Sequence, residues 1–219
     1  MRSLRIALAV LTLGAAVTLS PMAEAKKEKA PEASAGITWT PLEMTTVQGI
    51  DDVLKPADDL QNNLKTIYDG LVSARTNFST VLGVATDAPI ATALADLKTK
   101  GAGKIKVAME GTTPKLSASD AVPENVTKGI EAANGLVDAG VSTVKAVTAL
   151  DDKVKEVVAS VTGLPSKLPS MGLDPKVLLS ATKIVGKDGK IVADLPNKMK
   201  AIVDEVNNLF TSIKDAFTG

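Results

Sequence analysis

From Ile50 to Val81 the apolar residues of this chain fall at alternating steps of three and four: Ile50, Val53, Ala57, Leu60, Leu64, Ile67, Leu71, Ala74, Phe78 and Val81. A strand repeats every two residues, whereas a helix of 3.6 residues per turn gathers these positions onto one face. A seam of this length has coiled-coil character and has to be covered by partner helices. Steps of three and four return twice. Val126, Ile130, Ala133, Val137, Val141, Val144, Val147, Leu150, Val154, Val157 and Val161 predict a helix over Pro123–Thr162, on the order of 60 Å long at 1.5 Å per residue. Leu195, Met199, Ile202, Val206, Leu209, Ile213 and Ala216 predict another to the C-terminus, with Pro196 in its first turn.

Two shorter helices fit between these. Asp87 and Pro89 open one carrying Ile90, Leu94 and Leu97, and Asp174-Pro175 opens another carrying Val177, Leu178, Ala181 and Ile184. Gly101-Ala102-Gly103-Lys104 reads as a linker rather than a nucleotide loop, because it follows a helix. Ile105, Val107 and Met109 then alternate with Lys106, Ala108 and Glu110, a strand signal that Gly111-Thr112-Thr113-Pro114 turns back onto Lys115–Ala118. A second hairpin is expected at Ile184–Val192, where Asp188-Gly189 sits between apolar arms. The fold class is therefore mainly α: an antiparallel bundle of three long amphipathic helices and two shorter ones, with up to two small β-hairpins. Pro56 either starts the first helix or kinks it. Gly129, Gly135 and Gly140 mark close helix approach, a bend, or simple tolerance.

The N-terminus has Arg2 and Arg5, an uncharged apolar run from Ile6, and the small-residue ending Ala23-Glu24-Ala25. This is the pattern of a secretory signal peptide cleaved after Ala25, with an uncleaved anchor as the alternative. Residues 1–25 are assigned to it, 26–46 to a flexible tether rich in charge, Pro, Ala and Gly, and 47–219 to one helical-bundle domain. The expected location is periplasmic or secreted. Without cysteine the chain has no disulfide-linked partner, so packing alone must hold it.

The missing residue types also bear on function. With no His and no Cys the chain lacks the usual zinc ligands, the thiol nucleophile and the neutral-pH proton shuttle, so no catalytic, cofactor-binding or metal residue is assigned. An enzyme would need a buried Lys or a convergent carboxylate pair. Asp51-Asp52, Asp58-Asp59 and Asp151-Asp152 do not supply one, since adjacent residues on a helix point about 100° apart; they read as solvated helix faces. Lysine plus arginine balance aspartate plus glutamate at 25 each, which argues against a nucleic-acid partner.

Five aromatics remain: Trp39, Tyr68, Phe78, Phe210 and Phe217. Trp39 reads first as a lid closing the tether onto the core and second as a contact for ligand or membrane. Phe210 and Phe217, seven apart, read first as core and second as a stripe for a partner. Tyr68 is expected at a rim with its hydroxyl in water. These features describe an exported, non-enzymatic bundle that acts by binding a protein, as an adaptor, or an apolar ligand, as a carrier. The alternative is a membrane-active protein, a lipid coat or pore former, which the balanced charge of the polar faces does not favour.

Overall fold

The computed structural model describes residues 36–218, and the signal-peptide segment and residues 26–35 lie outside the described residues. The chain is 74% helical with one small two-stranded antiparallel sheet. In chain order the elements are α1 (Gln48–Leu82), α2 (Ile90–Gly101), β1 (Ile105–Glu110), β2 (Thr113–Ala118), α3 (Glu124–Thr148), α4 (Asp151–Thr162), the short α5 (Leu164–Lys167) with a 3-10 turn at Leu168–Met171, α6 (Pro175–Ala193) and α7 (Leu195–Thr218).

The apolar seams bury themselves in two clusters, which also fix the helix directions. One gathers the first half of α1, α4, α6 and the start of α7, from Ile50, Leu60 and Leu64 to Val154, Val185 and Ile202. The other gathers the second half of α1, α2, the hairpin, the first half of α3 and the end of α7, from Phe78, Leu94 and Leu97 to Leu136, Val206 and Ile213. Chain order through the clusters makes α3 antiparallel to α1 and α7, which run in the same sense. Each fully buried Leu or Ile contributes about 1.5–3 kcal/mol. At selected points a side chain of one helix sits directly on a glycine of another. A Cβ on Gly129 would lie 2.6 Å from Leu97 Cδ1, and one on Gly140 would lie 2.9 Å from Phe210 Cε1, whereas Gly135 faces open space.

Four expectations are corrected. The seam through Pro123–Thr162 is two helices, because Ala149 donates to Lys145, Leu150 tightens to Val147 in 3-10 fashion, and Val154 restarts the ladder on Leu150. That restart places Asp151 and Asp152 in the first turn of α4, where the exposed N–H groups favour negative charge. The hairpin expected at Ile184–Val192 is helix: Ala181, Val185, Asp188 and Val192 form the buried face of α6, and Gly189 keeps a right-handed backbone. Of the two expectations for Pro56 the structure removes the start, since α1 begins at Gln48 and carries Pro56 inside the helix. Its buried face includes Leu54, Tyr68 and Leu82, while Val81 is exposed, so the seam is a broader stripe than the alternating series.

The β1–β2 hairpin forms in the expected place, with Val107 opposite Leu116 and Glu110 opposite Thr113 across the Gly111-Thr112 turn. Gly111 has φ 67°, a conformation suited to the first position of a two-residue hairpin loop. Asn134 of α3 receives the Leu116 N–H at 2.9 Å and donates to the Leu116 carbonyl at 2.9 Å, doing the work of a third strand at that point.

Candidate functional site

Of the stretch expected as a tether, residues 26–35 lie outside the described residues, and Gly36–Val47 is an extended arm without helix or strand. Its composition explains the irregularity: Pro41 lacks a donor, and Thr38, Thr40, Thr45 and Thr46 favour local side-chain bonding over helix. The arm lies along the helices and is bonded to them. Gln61 of α1 donates to the Thr40 carbonyl at 2.8 Å. Asp188 of α6 accepts the Glu43 N–H at 3.0 Å, and Lys187 pairs with the Glu43 carboxylate. Asp51 of α1 accepts both the N–H and the hydroxyl of Thr45 at 2.7 Å. Leu42 reaches the first cluster, with Ile37 and Trp39 packed against it.

Where the arm passes α1 and α7 it frames a cleft of ≈ 380 Å³. Its lining combines the apolar Trp39 and Val72 with the charged Asp69, Arg75, Asp87 and Glu205. Trp39, named from sequence as a lid or contact, is placed here. Lys198 Nζ lies 5.0 Å from its ring centroid, a cation–π distance, and its indole Nε1–H has no acceptor among the described residues.

Beneath the arm a polar cluster ties the elements together. Arg75 Nη1 stands 3.8 Å from Glu205 Oε1, joining α1 to α7, and Arg75 Nη2 reaches the Ala88 carbonyl at 3.5 Å. The Tyr68 hydroxyl, expected in water, is buried against Glu205 and the Ile37 N–H. Burial raises its pKa first and the Glu205 carboxylate adds to this, while the Ile37 N–H and Arg75 pull the other way. Tyr68 is thus a phenol at neutral pH, a donor to Glu205 and a clamp between helix, helix and arm. No signal in the sequence distinguishes Tyr68 from a rim residue, because its partners come from 31 or more positions away in chain order, the one exception being Arg75 on its own helix.

The other two residues named from sequence are elsewhere. Phe210 is 9% exposed in the second cluster, over Gly140, and Phe217 packs against the same cluster. Neither lines the cleft. Asp58, Asp59, Asp151 and Asp152 bond Asn62, Lys55 and Lys155 along their own helices, the surface pairs of little energetic consequence expected of solvated faces. Among the described residues no group of three or more Asp or Glu is placed to hold a metal ion, and no helix is long and apolar enough to cross a membrane. Comparison with known protein families, with curated proteins and with solved structures finds no match to this chain.

Proposed function

We propose that the protein is exported and acts by binding, as a non-enzymatic helical bundle whose contact site is the cleft between the arm and the α1–α7 seam. The observation that carries this reading is the composition of the cleft: the apolar Trp39 and Val72 together with the exposed carboxylates of Asp87 and of Asp69, the latter paired with Lys65 of its own helix, in a space of the size that takes a small ligand or a protein side chain. Such a surface suits a partner that carries a positive charge next to an apolar group. An adaptor that grips a Lys- or Arg-bearing segment of another protein fits it better than a carrier of a wholly apolar molecule, since the apolar faces of the helices are spent in the two clusters. The same consideration weighs against the membrane-active alternative, which requires those clusters to open.

The test is native mass spectrometry and pulldown from the natural extracellular or envelope fraction with wild type, Val72→Lys and Asp87→Lys. Both substitutions are at exposed positions, so the fold is retained. The reading expects species held by wild type and lost by both variants. Capture of nothing by wild type, or the same capture by all three, contradicts it. Flotation with liposomes at physiological salt separates the alternative: a membrane-active protein rises with the vesicles.

A further inference from the structure

The two outer edges of the β1–β2 hairpin are treated differently. Ser119 donates to the Lys104 carbonyl at 2.8 Å, and the register pairs Lys106 with Ser117 and Ala108 with Lys115. In an antiparallel ladder backbone groups alternate inward and outward, so Lys106, Ala108 and Glu110 turn theirs toward β2, and Val107 and Met109 turn theirs away from it. On β2 the outward positions are Pro114, which has no N–H, Leu116, whose N–H and carbonyl are both taken by Asn134, and Ala118 at the end of the strand, so the edge is closed along its middle. That edge is closed by the devices proteins use against unwanted pairing. Among the described residues the β1 edge has neither a proline nor a side-chain clamp across Val107 and Met109, and the Met109 side chain is 42% exposed beside it.

The side chains of β1 favour one occupant. Along its solvent face run Lys106, Ala108 and Glu110, all exposed: a positive charge, a small residue and a negative charge, evenly spaced, the last also 3.6 Å from Lys115 of β2 across a solvent-exposed pair. Laid antiparallel on itself about Ala108, this strand sets Lys106 opposite Glu110 of the second copy, and Glu110 opposite its Lys106. The same register sets Val107 opposite Met109, the two positions whose N–H and carbonyl groups point outward, so four main-chain hydrogen bonds form. The non-bonded pair at the axis, where Cα atoms approach to about 4.5 Å, is Ala108 with Ala108, small enough for that approach. We propose that β1 is a self-pairing edge, and that two copies join through it into a four-stranded antiparallel sheet with two-fold symmetry. A six-residue edge is a small interface, so the dimer is weak and concentration-dependent.

Sedimentation velocity over a concentration series tests this with the purified full chain, Lys106→Glu, and the double variant Lys106→Glu/Glu110→Lys. The expected result is a monomer–dimer equilibrium for wild type, weakened about tenfold by Lys106→Glu, which places glutamates opposite one another twice. The double variant, which restores opposite charges in exchanged positions, recovers it. A wild type that stays monomeric throughout the series overturns the proposal. So does a dimer indifferent to Lys106→Glu, or one that the double variant fails to restore.

Discussion

Two glycines on one helix show how little of a residue's role lies in its identity. Gly135 and Gly140 both lie within α3, yet a Cβ on Gly135 meets nothing within 4 Å while one on Gly140 meets Phe210 at 2.9 Å and Val206 at 3.1 Å. Gly135→Ala is expected to stabilise by about 0.5–1 kcal/mol, through lost unfolded-state freedom. Gly140→Ala is expected to cost about 1–3 kcal/mol, because Phe210 or the helix must shift. Urea unfolding of the two variants checks the opposite signs. Phe210 was legible as a core residue from its place beside the seam, but its partner glycine was not singled out from the other two, since helical spacing does not reveal which turn faces α7.

Asp188 carries a second residue-scale prediction. It is 0% exposed, with Oδ2 on the Glu43 N–H and Oδ1 without a partner among the described residues. Its pKa is raised, chiefly by burial; the Glu43 N–H opposes this, Glu43 and Asp58 carboxylates add to it, and Lys187 opposes it. The folded state therefore holds the proton to higher pH than the unfolded chain does. The stabilisation is fully present below the ordinary value of about 3.9 and is lost as pH rises through the folded value. Asp188→Asn keeps an acceptor for Glu43 and removes the titration. The stability of wild type minus that of Asp188→Asn should fall as pH rises through the acid range and then level off. Urea midpoints over a pH series measure it, and a difference that grows with pH contradicts the assignment.

At the scale of elements, the competition between a turn signal and a helical period was decided by burial. Asp188-Gly189 flanked by apolar pairs reads as a hairpin, but Ala181, Val185 and Val192 also fit one helical face, and that face has a cluster to fill. The outcome put a carboxylate in the interior, where it holds the arm. Gly186 and Gly189 have open space around their Cβ positions and ordinary helical φ. Gly189→Ala should therefore stabilise by about 0.5–1 kcal/mol as a helix-interior substitution, measured by thermal or urea unfolding; in a hairpin turn requiring positive φ it would destabilise. The α7 seam, by contrast, was legible residue by residue from Leu195 to Ile213, because a terminal amphipathic helix with one buried face has no competing local signal. The break between α3 and α4 was not legible, since Val147, Leu150 and Val154 keep the spacing across it and only the hydrogen bonds change partner.

For the whole molecule, the helices form two stacked clusters, and the arm is what converts their outer surface into a cleft. The class of fold could be read from three long seams. The cleft could not, because it is assembled from Trp39, residues of α1, the α1–α2 loop and Glu205 of α7, which no local pattern connects. Of its lining only Trp39 was named beforehand as a contact, on the ground that it lies outside every seam; Tyr68 and Asp87 were read as a rim residue and a helix start. The central claim is that the arm belongs to the fold and is held by Asp188, Gln61 and Asp51. Amide hydrogen exchange at Glu43 and Thr45 tests it most directly, because both N–H groups are bonded to buried or half-buried carboxylates. Both amides are predicted to exchange slowly, in step with the α1 interior. Exchange at the rate of a free peptide while α1 stays protected would show an unattached arm and remove the cleft with it.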